Sequence, residues 1–176
     1  MRDDFEDALE IARGLLGENE GTGDVWEANE QVNEALELCP HSAEAWLLKC
    51  QILSALDDEP AALASAEMAL RRSPRATEAH YWRAVVLANM ERYGEALKAL
   101  ERAFRHLREG DEWLVEDMYY EKGAILDAIG QGDEALATYE AGLSRFPESQ
   151  ILRAGIAPIR RERTRRAFKL IPGGRT

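Results

Sequence analysis

Alanine returns at a fixed step in this chain. Ala28, Ala62 and Ala96 are 34 residues apart, Ala35, Ala69 and Ala103 repeat that step, and Pro40 and Pro74 share it. A period of this length restricts a chain to an array of similar units, each too small to bury a core alone. Within 105–115 the phase slips by five residues, and the pattern then resumes with Ala135, Gly142 and Pro147 in the corresponding places.

Each unit reads as two short amphipathic helices. In 43–76, Trp46, Lys49, Cys50 and Leu53 fall at i, i+3, i+4 and i+7, one face of a helix from about Ala43 to Leu56. The stretch DDEP breaks the run. Its acids suit a helix N-terminus, and Pro60 is tolerated in a first turn. A second helix then spans about Pro60 to Arg72, with Ala62, Ala66, Ala69 and Leu70 inward, and Pro74 stops the unit. Short connections make the pair an αα-hairpin. Ala, Leu and Glu recur, and only 6 prolines and 13 glycines interrupt them, which favours helices.

These spacings resemble the tetratricopeptide repeat, whose pattern W-x2-L-G-x2-Y, A-x3-F, P has the same period. Unit 116–149 matches it with Tyr119, Lys122, Gly123, Leu126, Ala135, Tyr139 and Pro147. Unit 77–110 supplies Ala84, Leu87, Ala96, Leu100 and Ala103, with His80 where a large aromatic is usual and no closing proline. Unit 9–42 is degenerate. Its second helix fits through Ala28, Val32, Ala35 and Pro40, but its first, at roughly 3–18, lacks the small-residue slot, and GTG at 21–23 reads as a loose turn. The resemblance implies an all-α, right-handed solenoid of antiparallel helix pairs over 1–156, closed by a C-terminal capping helix. A basic tail, 157–176, follows. Trp46 and Tyr119 are expected between the two helices of their units. If Trp46 is fully buried, Trp46→Ala costs about 3–5 kcal/mol.

In 105–115 the second helix is expected to run to about Arg108, before a Gly-Asp turn and a new helix at Trp113 and Leu114. A further helix begins after Pro147. Gly155 and Pro158 are expected to interrupt it, Ile151, Leu152, Ile156 and Ile159 to cover the open end of the stack, and IPGGRT to fray.

No stretch approaches the roughly 18 apolar residues of a membrane span, and the acidic opening MRDDFEDALE lacks a secretory signal's basic head. The expected location is cytoplasmic. Cys39 and Cys50 are too few for a disulfide framework and read as reduced, structural thiols. The histidines His41, His80 and His106 do not have metal-ligand spacing, and no HExxH, GxSxG, P-loop or EF-hand pattern occurs. The two GxG occurrences lack a preceding strand. No metal, no cofactor and no enzymatic activity are expected.

In the family the first helices of successive units line a concave groove where partner segments dock. The resemblance therefore implies a groove of Leu47, Gln51 and Ser54 from one unit, Tyr81, Trp82, Val85 and Asn89 from the next, and Tyr120, Glu121, Ala124 and Asp127 from the last. Its aromatic groups suit an apolar anchor, and its acids suit a basic segment. The Lys, Asn and Arg set with which some members grip a C-terminal carboxylate is missing, since the corresponding places hold Leu47, Gln51, Trp82, Asp117 and Glu121.

The net charge of −11 divides unevenly, with +6 on 148–176 and −17 on 1–147. Arg160, Arg161, Arg163, Arg165 and Arg166 form the densest basic run. Three roles stand open for it: phosphate contacts with nucleic acid or an anionic membrane, contact with an acidic protein, or docking on the chain's own acidic body. Phe168 alone gives no aromatic interleaving for base stacking, and an acidic body repels polyanions. The expected function is a scaffold or adaptor that holds a protein or peptide segment in its groove. A regulatory protein acting through its basic tail, or self-assembly of tail into groove, is the alternative.

Overall fold

The computed structural model describes residues 2–17 and 22–169, and every regular element among them is an α-helix. They fall into two compact units, 1–107 and 108–176. The first holds α1 (Arg2–Gly17), α2 (Thr22–Leu38), α3 (Ala43–Ala55), α4 (Glu59–Arg72), α5 (Thr77–Asn89) and α6 (Tyr93–His106). The second holds α7 (Glu112–Ala128), α8 (Gly132–Arg145) and α9 (Gln150–Lys169).

The 34-residue step reappears as hydrogen bonds. At the turn inside three pairs, the N–H of Asp58, Arg92 and Gln131 donates to the carbonyl of Leu53, Leu87 and Leu126, at 2.9, 2.8 and 2.9 Å. Each bond reaches five residues back, as in the C-terminal motif that caps carbonyls left open at a helix end. The residue before each donor takes the left-handed backbone: Asp57 at φ 57°, Glu91 at φ 58° and Gly130 at φ 80°. Asp58 then caps α4 through the N–H of Ala61, with Pro60 in the first turn, as the DDEP stretch predicts.

A second bond also recurs along the chain. The Trp46 indole N–H donates to the Pro40 carbonyl at 3.0 Å. One period later, His80 Nε2 lies 3.0 Å from the Pro74 carbonyl. In α9 the Arg153 guanidinium donates to the Pro147 carbonyl. At this place in α3, α5 and α9 a different side chain each time brings an N–H to the preceding proline carbonyl. Trp46 itself is half-buried and packs on the cluster of Leu9, Val25, Val32, Leu48 and Ile52. Trp46 is therefore not fully buried, and the full-burial cost does not apply.

In the first unit, α1, α3 and α5 touch in a row. Among the described residues no such contact joins α2, α4 and α6. The first helices therefore lie on the inner side of this unit. The small-residue places are closed: Ala28, Ala62, Ala96, Cys50 and Ala84 are at 0% exposure. Cys50 and Leu53 of α3 pack on Ala62 and Ala66 of α4 and Val86 of α5. Burial raises the Cys50 thiol to about 12, so it is inert, while Cys39 is exposed.

In the second unit, Tyr139 is buried between glycines on two helices. A Cβ at Gly123 of α7 or at Gly155 of α9 would lie 2.5 Å from its ring. Leu152, Ile156 and Ile159 of α9 are buried, and the Ser149 hydroxyl caps the helix through the N–H of Leu152. Ile151, at 39% exposure, is not covered.

Several boundaries differ from the sequence reading. α2 starts at Thr22, so two residues of the expected GTG turn are helical, and Gly21 lies outside the described residues. α6 stops at His106, whose carbonyl accepts the Thr77 hydroxyl at 2.9 Å, two residues before the expected end. α9 runs unbroken through Gly155 and Pro158. Gly155 is a packing residue under Tyr139. Pro158 removes only the bond to Ala154, on a turn that solvent reaches. The IPGGRT segment lies outside the described residues.

Candidate functional site

The inner row of the first unit carries the first seven predicted groove residues. Leu47, Gln51 and Ser54 of α3 and Tyr81, Trp82 and Val85 of α5 are half-buried, and Asn89 is exposed. The polar members already have partners. The Gln51 amide donates to Glu78 at 2.9 Å, tying α3 to α5. The Asn89 amide donates to Glu59 at 2.6 Å, and the Ser54 hydroxyl lies 3.4 Å from the same carboxylate. Glu78 and Glu59 are absent from the sequence-derived set. Glu78, Tyr81, Val85 and Asn89 share one α5 face by their spacing, so Glu78 was legible there. Its partner, 27 residues away on another helix, was not.

Tyr81 and Trp82 meet edge to face, with centroids 5.8 Å apart at 75°. Trp82 also packs on the Cys50, Leu53, Ala62, Ala66 and Val86 cluster, so part of its ring is core. Its neighbour Arg83 reaches Glu67 of α4 at 3.8 Å. Leu47, Tyr81 and Val85 remain as the apolar contacts this face can offer. At its α1 side, Arg13 pairs with Glu44.

On α7 of the second unit, Tyr120 is 38% exposed and its ring lies 6.1 Å from that of Tyr139. Glu121 and Ala124 are half-buried and Asp127 is exposed. Burial holds the Glu121 carboxyl above its ordinary value. Burial and then the Glu116 charge do the same for Asp117. A raised carboxyl gains from a nearby cation, which would offset its lost hydration.

The basic run of α9 faces acids of its own unit. Arg160 pairs with Glu140 at 3.0 Å, Arg163 with Asp133 at 3.4 Å and Arg165 with Glu162 at 3.0 Å. Arg161 donates to the Ala157 carbonyl at 3.2 Å. The Arg166 side chain lies outside the described residues. His80 is buried at 4% and its ring stacks on His106 at 5.5 Å. Among the described residues no three His, Cys, Asp or Glu side chains cluster as metal ligands, and no helix is long and apolar enough to cross a membrane.

Residues 77–105, which span α5 and nearly all of α6, match the family model described as tetratricopeptide repeat. The fold is that of the tetratricopeptide-repeat proteins. Among solved structures, PilF of Pseudomonas aeruginosa superposes with a TM-score of 0.76 at 18% identity, over 99% of this chain and 78% of that one. YrrB, a tetratricopeptide-repeat protein with an unusual peptide-binding site, gives 0.65 at 24% identity, over 89% and 76%. The TPR2B domain of yeast Sti1, in complex with pHsp70, gives 0.60 at 19% identity, over 69% and 97%. No curated protein matches the chain in sequence. At these identities the likeness is one of tetratricopeptide-repeat fold.

Proposed function

We propose that this tetratricopeptide-repeat chain is a non-catalytic scaffold that holds a partner segment against the inner faces of its first helices. The observation that carries the reading is the row of α1, α3 and α5, which leaves Leu47, Tyr81 and Val85 half-buried on the inner side. Half-buried aromatic and branched groups on a rigid helical face suit the anchor side chains of a peptide. Structural relatives that hold peptides, the Sti1 domain and YrrB, support it. Taken by itself, α7 of the second unit offers exposed Tyr120 beside the acids Asp117 and Glu121, which favour a basic segment. A cytoplasmic location belongs to the same proposal, since free Cys39 and Cys50 suit a reducing compartment.

The test is affinity capture with the intact chain beside a Tyr81→Ala/Tyr120→Ala variant. Trp82 is kept, because its ring also holds the core. The expected result is a partner held by the intact chain and lost by a variant of unchanged helical content. Equal retention by the folded variant would refute the inner-face reading.

A further inference from the structure

α9 stands in the register of a first helix. Arg153 bonds the Pro147 carbonyl as Trp46 bonds Pro40 and His80 meets Pro74. Four residues on, the first helices carry Cys50, Ala84 and Gly123, where each approaches its own second helix. Cys50 packs on Ala62 and Ala66 of α4, and a Cβ at Gly123 would strike Tyr139 of α8. The equivalent residue in α9 is Ala157. It keeps the small side chain that close approach requires, yet it is exposed, and among the described residues no second helix follows.

The space beside it is an open slot of about 440 Å³ between α8 and α9, lined by Leu143, Arg153, Ile156, Ala157 and Arg160. Its floor is apolar. Its two charged lining groups are both cationic, and they replace the large or apolar residues Trp46 and Leu53 of α3. Glu148, at 3.6 Å from Arg153, and Glu140, at 3.0 Å from Arg160, hold the guanidiniums from outside the lining. These pairs are exposed and therefore weak, so they compete little with an incoming carboxylate.

We propose that this slot binds an acidic amphipathic helix of a partner protein, which lies against α9 where a second helix would pack. The apolar stripe of that helix meets Leu143, Ile156 and Ala157. Its flanking carboxylates meet Arg153 and Arg160. The slot lies within the second unit and shares no lining residue with the inner-face set, so the two can be tested separately.

The probe is a labelled synthetic helix of about 16 residues, long enough to lie along α9, with a Leu/Ala stripe flanked by Glu. Its control carries Lys for Glu. Fluorescence anisotropy on the full chain should show saturable binding of the Glu helix only. Arg153→Glu/Arg160→Glu should weaken it about tenfold or more, since two attractive contacts become repulsive, and should admit the Lys helix instead. Tyr81→Ala/Tyr120→Ala should leave it unchanged, which keeps this result distinct from the inner-face reading. If the charge-reversed chain does not fold, Ala157→Leu fills the slot from an exposed position and should give the same loss. The inference is overturned if the Glu helix does not bind, or if the reversed and Ala157→Leu chains bind it as well as the parent. It is also overturned if light scattering shows that a second copy of the chain occupies the slot.

Discussion

Gly155 gives the sharpest test of the packing. In a helix interior, glycine to alanine ordinarily adds stability, by up to about 1 kcal/mol. Gly14 in α1 should behave so, because nothing lies within 4 Å of an added Cβ there. At Gly155 the same methyl would lie 2.5 Å from Tyr139 Cζ, and ordinary contact begins at 3.4 Å. The ring must give by about 1 Å, but it is buried at 2% and its other side meets the α7 backbone at Gly123. Overpacking of this kind costs about 1–3 kcal/mol. After the helix-propensity gain, Gly155→Ala should lose about 1–2 kcal/mol while Gly14→Ala gains up to about 1. Urea denaturation followed by circular dichroism measures both. Amide exchange in α9 should quicken in Gly155→Ala alone. If both substitutions stabilise, the ring does not sit between the two glycines and the α9 packing described above is wrong.

Three further outcomes follow from the same geometry. Trp46→Ala should cost about 2 kcal/mol by the same denaturation assay, less than a fully buried tryptophan, because the ring is half-buried but loses its bond to Pro40; a loss of 4 kcal/mol or more, on the order of full burial, would contradict it. Glu91→Gly should raise stability by roughly 0.5–1 kcal/mol, since Glu91 holds a left-handed φ of 58° that glycine adopts without strain; an unchanged or lower denaturation midpoint would count against this. Burial holds the His80 imidazole below its ordinary value, with His106, Arg102 and Arg83 adding to the shift against the bond to Pro74. Its contribution to stability is therefore present above the unfolded histidine range of about 6.5 and lost as pH falls through the lower folded value. His80→Phe should flatten the fall in stability between pH 7 and pH 5, and an equal slope in both chains would refute the assignment.

How much of this was legible in the sequence depended on whether a signal was local. Alanines at a fixed step gave the pairing of helices, because close approach admits only small side chains and so writes itself into the chain. The Asp58 cap and Pro60 gave the start of α4 for the same reason. Gly155 and Pro158 were misleading, because their local preference is to break a helix, whereas Tyr139 requires a glycine at 155 from another helix altogether. The equivalence of Trp46, His80 and Arg153 was hidden, since three unlike side chains share only an N–H that reaches a proline carbonyl. On the inner face, Leu47, Tyr81 and Val85 came from the family resemblance, which assigns the first helices of successive units to the groove. The pairing of Gln51 with Glu78, and of Asn89 with Glu59, could not be read from the sequence, because those contacts join helices about 30 residues apart. Trp82 was ambiguous for a related reason: one face of its ring belongs to the core.

The central claim is that the inner faces of the first helices bind the partner. Amide hydrogen exchange of the chain, alone and with its captured partner, tests it most directly. The account predicts slowed exchange concentrated on α3 and α5, with α4 and α6 unchanged. Protection confined to α2, α4 and α6, with α3 and α5 unaffected, would contradict it.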